Sequence, residues 1–205
     1  MVNEWLSAEH AQSYLARADH IPHRTEGDAV LIEILPASAA RILDLGTGNG
    51  RLIALLKAAR PDLRAVALDF SPTMLQAVSE RFRGDEHVQI VQHDLDNPLP
   101  QLGKFDAIVS GLAIHHCVDA RKRGIYAETF DRLEPGGMFC NLDHVASPTP
   151  RLHAQFFAAL GRPEDPSNKL ADLDVQLRWL REIGFQDVDC LWKWRELALL
   201  VGTRP

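Results

Sequence analysis

The sequence predicts an α/β chain with a doubly wound, mostly parallel seven-stranded sheet that ends in an antiparallel hairpin. Three observations predict it. First, Ile42, Leu43 and Leu45 form a short apolar run, the pattern of a strand buried on both faces. Second, that run passes through Gly46, Gly48 and Gly50 into Leu52, Ile53, Leu55 and Leu56, which recur at helical spacing until Pro61. Third, further apolar runs alternate with helical patterns, which implies parallel pairing, and the last two runs stand too close together for a helical crossover.

The elements follow in order. Residues 1–27 form a separate N-terminal segment with a weak helical pattern, interrupted at Pro22. Residues 28–205 form the main domain of a single-domain chain. A helix from Glu26 to Leu35 leads to the first strand. Ala65 to Asp69 is the second strand, and Ser71-Pro72 starts a helix, since serine caps well and proline suits the first helical position. Val88 to Val91 and Phe105 to Val109 are the third and fourth strands. A helix from Ala120 to Leu133 and the turn Pro135-Gly136-Gly137 precede the fifth, Met138 to Leu142. Two amphipathic helices follow, around Leu152 to Leu160 and Leu173 to Ile183, the second stopped by Gly184. Val188 to Trp192 and Leu197 to Val201 then make the hairpin.

Composition bounds the function. At 205 residues the chain is long enough for one well-buried domain. A net charge of -6 gives no general field for nucleic acid or an anionic membrane, so a small-molecule partner is favoured. Cys117, Cys140 and Cys190 form no C-x-x-C pair, and Met1 to Leu6 lacks the basic-then-apolar pattern of a secretory leader. A cytoplasmic location is expected. Oligomeric state is not legible.

The glycine spacing carries the chemistry. Dinucleotide sites read G-x-G-x-x-G, but here the third glycine comes one residue early, with Arg51 in its place, and Asp44 precedes the first glycine by two. That disfavours a nicotinamide enzyme. Asp69 follows at about the 20-residue distance expected of an acid that reaches ribose hydroxyls. The pattern Asp44-x-Gly46-x-Gly48-x-Gly50 resembles motif I of the class I S-adenosyl-L-methionine (SAM)-dependent methyltransferases, a Rossmann-like family, and is nearest the ubiquinone/menaquinone-biosynthesis branch. Leu68-Asp69-Phe70-Ser71-Pro72-Thr73-Met74-Leu75 resembles the second motif and Gln92-His93-Asp94-Leu95 the third. Phe105 to Ser110 resembles the fourth, and the closing hairpin suits a family that inserts an antiparallel last strand.

The resemblance implies SAM as cofactor and S-adenosyl-L-homocysteine as product. It places the methionine part at Asp44, Gly46, Thr47, Gly48 and Gly50, and ribose at Asp69. Phe70 falls near adenine, whose edge is read by Asp94 and the Leu95 N–H; Met74 is a further cofactor contact, and Ser110 lies at the end of the fourth motif. The resemblance also implies that residues 1–27 serve as an N-terminal cap or lid. Asp96 is an alternative to Asp94, and an aspartate here also forms turns readily. Arg24 is a candidate partner for the methionine carboxylate.

A sulfonium methyl is already electrophilic, so transfer needs an in-line nucleophile and, for a hydroxyl, a base. His115 and His116 after the fourth strand are candidates for that base, with Asp143 and His144 after the fifth as a second polar pair. A histidine pair there can equally pack or cap the next helix. Tyr14, Phe156 and Trp194 are candidate substrate contacts, which would suit an aromatic or apolar acceptor. Adjacent His115, His116 and Cys117 do not have metal-site spacing, and no metal is expected. Transfer to tRNA or protein, and a non-catalytic module that binds SAM or a nucleotide, are the competing readings.

Overall fold

The computed structural model describes residues 7–17, 21–161 and 163–205. Five parallel strands form the body of the sheet: β1 (Arg41–Leu45), β2 (Arg64–Asp69), β3 (Val88–Gln92), β4 (Phe105–Gly111) and β5 (Leu133–His144). The sheet order is β3-β2-β1-β4-β5-β7-β6, with β6 (Gln186–Trp194) and β7 (Leu197–Thr203) as the hairpin. β7 enters between β5 and β6 and runs antiparallel to both. Chain order reverses between β1 and β4, so the crevice beyond their carboxyl ends is where ligands bind in such sheets.

Helices cover both faces because consecutive strand residues point opposite ways. Leu43, Leu45, Val66, Leu68, Ile108 and Phe139 pack beneath α5 (Asp119–Arg132) and α7 (Leu173–Ile183). Ile42, Ala65, Ala67, Val109 and Leu142 face α2 (Arg24–Ile34) and α3 (Arg51–Ala59). α4 (Pro72–Arg81) follows β2, and α1 (Ala8–Arg17) rests on α4 with Ala11 fully buried. α6 (Pro150–Leu160) begins at Thr149, whose side chain accepts from the Leu152 N–H at 3.3 Å. No helix among the described residues is long and apolar enough to cross a membrane.

One element begins earlier than its sequence pattern suggests. β5 starts at Leu133 instead of Met138, because Leu133 already pairs with Phe105 before a register shift. The Gly136 N–H donates to the Arg204 carbonyl at 2.8 Å and the Arg204 N–H to the Gly137 carbonyl at 2.8 Å, so the chain's last residues hold the glycine turn in the sheet.

α2 approaches the sheet through Gly27. A Cβ there would lie 2.8 Å from Leu142 Cδ1 and 3.0 Å from the Trp192 ring. This close approach fixes where Arg24 and Asp28, on the same helix, stand. Gly27→Leu is therefore expected to destabilise the protein by about 1–3 kcal/mol through overpacking, read as a lower urea midpoint. An unchanged midpoint would show that α2 is not seated by this contact.

Candidate active site

A cavity of about 400 Å³ opens at the carboxyl ends of β1, β2 and β4, within the range of about 300–1,000 Å³ usual for small-ligand sites. The glycine loop forms its floor. Gly46, Gly48 and Gly50 all have positive φ, at 67°, 55° and 74°, but for different reasons. A Cβ on Gly46 would meet the Ala113 Cβ at 2.3 Å, and one on Gly50 would meet the Phe82 ring at 2.5 Å. On Gly48 it would point into open space, with only Met74 Sδ nearby at 3.9 Å. Gly48 thus leaves the cavity a bare backbone wall, whereas Gly50 serves packing and lies off the cavity.

Two carboxylates shape the loop. Asp69, 8% exposed, accepts the Gly48 N–H at 2.8 Å through one oxygen and the Ser71 N–H at 2.9 Å through the other. Asp44 accepts the Thr47 hydroxyl at 2.7 Å. Burial pushes Asp44 up to about 7; the Thr47 hydrogen bond opposes this, while Asp69 and Asp28 add to it and Arg24 opposes it. Burial also raises Asp69, against its backbone hydrogen bonds.

Arg24 and Asp28 stand one helical turn apart on α2 and both line the cavity. Arg24 is 7% exposed, with its guanidinium beside Gly111, and Asp28 is ion-paired with Arg51. Phe70, Met74, Asp94 and Leu95 line the opposite part. Asp94 does form a turn: its Oδ1 accepts the Asp96 N–H at 2.9 Å, and Asp96 also lines the cavity. Thus Asp44, Gly46, Thr47, Gly48, Asp69, Phe70, Met74, Asp94, Leu95 and Arg24 come together as expected.

Several expected site residues stand elsewhere. Ser110 is fully buried, and its hydroxyl donates to the Leu45 carbonyl at 2.9 Å, so it braces β4 against β1 behind the loop. Of the histidine pair, His116 lines the cavity and His115 does not. His115 Nδ1 lies 2.6 Å from Asp143 Oδ1, and the His115 and His116 rings lie against each other, tilted by 39°, with centroids 4.0 Å apart. Burial opposes the charge on Asp143, but His115, the His144 N–H and Asn141 hold it below the usual carboxylate range. His144 turns away to Glu196, at 2.6 Å, beneath α6. Phe156, 1% exposed, and Trp194 belong to that same aromatic cluster: Phe156 packs on His144, and Trp194 stacks on His23 at 4.4 Å. Neither lines the cavity. The side chain of Tyr14, like His20, lies outside the described residues.

The far wall consists of Leu112, Ala113, His116 and Cys117 from the segment after β4, and Pro166, Ser167 and Lys169 from the segment before α7. Burial and the adjacent His115 hold His116 down to about 3, so its imidazole is neutral across the neutral pH range. Burial pushes the Cys117 thiol up to about 12. The sequence pattern passed over Ser167 and Lys169, which lie in a proline-flanked stretch with no motif. Asp28 carried a signal in its helical spacing from Arg24.

A methyltransferase-domain family matches residues 42–137. A demethylmenaquinone methyltransferase from Clavibacter sepedonicus is 32% identical over 174 residues, covering 76% of this chain and 69% of that protein. A trans-aconitate 2-methyltransferase from Methylobacterium nodulans is 29% identical over 204 residues, covering 95% of this chain and 74% of the relative. The solved structure of an O-methyltransferase family protein from Burkholderia thailandensis superposes with a TM-score of 0.76 at 19% identity, over 96% of this chain and 59% of that one.

The pKa of Asp44 has a consequence for stability. An unfolded aspartate titrates near 3.9 and the folded one at about 7, so between these values the folded chain holds the extra proton. Its contribution is present below the lower value and is lost as pH rises through the upper one. Asp44→Asn removes this loss. The variant's melting temperature, relative to wild type without ligand, is expected to rise between about pH 5 and about pH 8. The same difference at both pH values would contradict a buried, proton-sharing Asp44.

Proposed function

The chain belongs to the class I SAM-dependent methyltransferases, and we propose that it methylates a small aromatic or apolar acceptor seated beside His116. The observation that carries this reading is the cavity's two-ended lining. One end offers acids and bare backbone, and the other offers Leu112, Ala113, Cys117 and Pro166 around the His116 imidazole, together with Ser167 and Lys169.

The residues present fit SAM. Gly48 leaves room for the ligand, and the Asp69 carboxylate has about four acceptor sites, two of them used by backbone N–H groups. The remaining sites suit two ribose hydroxyls. Phe70 and Met74 would flank adenine, with Asp94 and the Leu95 N–H at its edge. Arg24 would face the methionine carboxylate, and Asp44 its ammonium end. Bound SAM supplies an electrophilic methyl on a positively charged sulfur.

The protein's own work is placement and proton removal. An acceptor oxygen that takes a methyl becomes far more acidic than an imidazolium, so even a weakly basic His116 is a competent late proton acceptor. For a hydroxyl acceptor, the His116 ring would take the proton that the acceptor loses on methylation, and the sulfur would leave with the electron pair of the broken carbon–sulfur bond. One relative is named for demethylmenaquinone, which supports a quinone-like acceptor. Residues 1–27 would act as the cap over the crevice, since α1 rests on α4 beside it. Free Cys117, Cys140 and Cys190 support a cytoplasmic setting.

The test is a methyl-transfer assay with radiolabelled SAM against phenols and quinols, small carboxylates, and bulk tRNA. Label is expected in the aromatic set, with His116→Gln losing about 10²–10⁴-fold in turnover on hydroxyl acceptors. Asp69→Ala should weaken S-adenosylhomocysteine binding by more than about 1 kcal/mol. Label in tRNA alone would overturn the small-molecule reading, and unchanged affinity in Asp69→Ala would remove that residue from the ribose role.

A further inference from the structure

The Ser167 hydroxyl lies 2.9 Å from His116 Nδ1 and 2.6 Å from Asp165 Oδ1. That carboxylate oxygen also accepts the Ser167 N–H, at 2.9 Å. A serine hydroxyl has one proton, and an ionised carboxylate can only accept. The proton therefore goes to Asp165, and the hydroxyl oxygen turns its lone pair to the imidazole. Nδ1 must then carry the ring proton. The reverse arrangement would set a hydroxyl lone pair against a carboxylate lone pair at 2.6 Å.

We propose that Asp165 and Ser167 are a positioning pair that holds His116 in its Nδ1–H form and so leaves Nε2 as the unprotonated ring nitrogen. The segment that carries the pair is fastened to the histidine turn. The Lys169 N–H donates to the His115 carbonyl at 3.0 Å, and Lys169 Nζ to the His116 carbonyl at 2.5 Å. From beneath, the buried ammonium of Lys122 donates to the Cys117 carbonyl at 2.6 Å and also to the Lys169 carbonyl. These contacts fix the distance between the hydroxyl and the ring. His115 has a similar arrangement, with its Nδ1 on Asp143, so both rings of the adjacent pair have Nδ1 set by a partner.

The use of Nε2 rests on the transfer reading given above, whereas the tautomer itself does not. The test is a long-range proton–nitrogen correlation spectrum of the full chain with ¹⁵N-labelled histidine rings, assigned with His116→Gln. The wild type is expected to show a protonated Nδ1 and an unprotonated Nε2 at His116. Ser167→Ala should lose that pattern, and Ser167→Thr should restore it. A wild-type His116 protonated at Nε2, or an identical pattern in Ser167→Ala, would overturn the proposal. This readout needs neither acceptor nor turnover. Its failure would leave the transfer reading to the His116→Gln assay, and loss of the transfer reading would leave the tautomer result intact.

Discussion

The carboxyl edge of the sheet depends on the two oxygens of Asp69. One holds the Gly48 N–H and the other the Ser71 N–H, so a single side chain at the end of β2 ties the loop after β1 to the start of α4. The Thr47 N–H, donating to the Leu68 carbonyl at 2.9 Å, doubles the connection. With the loop pinned at these points, the backbone must turn through positive φ at three positions, which glycine tolerates at little cost. Packing against Ala113 and Phe82 removes Cβ atoms from Gly46 and Gly50. Gly48 is left to face the cavity. A bare floor, a carboxylate with spare acceptor sites and a helix start therefore stand together.

The opposite end is built from a different part of the chain. The stretch before α7 has no regular structure between Pro163 and Asp172, yet it supplies Pro166, Ser167 and Lys169 to the wall. Polar contacts fasten it to the segment after β4: Lys122 donates to the Lys169 carbonyl, and Lys169 donates through its N–H to His115 and through Nζ to His116. A second polar cluster sits apart from the cavity. Glu196 is fully buried and bonded to His144, Ser147 and His153, and it fixes α6 over the hairpin. Two of the aromatic residues expected at the substrate face that cluster instead.

Much of the fold, and the loop and carboxylates of the proposed cofactor end, was legible in the sequence because local rules decide them. Apolar runs gave the strands, Ser71-Pro72 marked the start of α4, and the short gap between Trp192 and Leu197 predicted the hairpin, whose first strand in fact runs on to Trp194. Asp44, Gly48 and Asp69 sit at fixed offsets from strand ends, and those offsets survive folding. The acceptor end was less legible because long-range contacts decide it. Nothing in the local pattern tells that His116 faces the cavity while adjacent His115 turns to Asp143. The position of Glu196 in a hairpin turn suggests a solvated side chain, but Arg195 takes a positive φ of 52° and Glu196 points inward. Ser110 read as a site residue because its motif ends there, yet its hydroxyl is committed to Leu45.

The central claim is that the glycine loop and Asp69 together form a SAM site and not a dinucleotide site. Calorimetric titration of the wild type and Gly48→Val with S-adenosylhomocysteine, with NAD as control, tests it most directly. Heat is expected with S-adenosylhomocysteine alone, and none in Gly48→Val, because a branched side chain would fill the open space above Gly48. Heat with NAD, or normal S-adenosylhomocysteine binding by Gly48→Val, would contradict it.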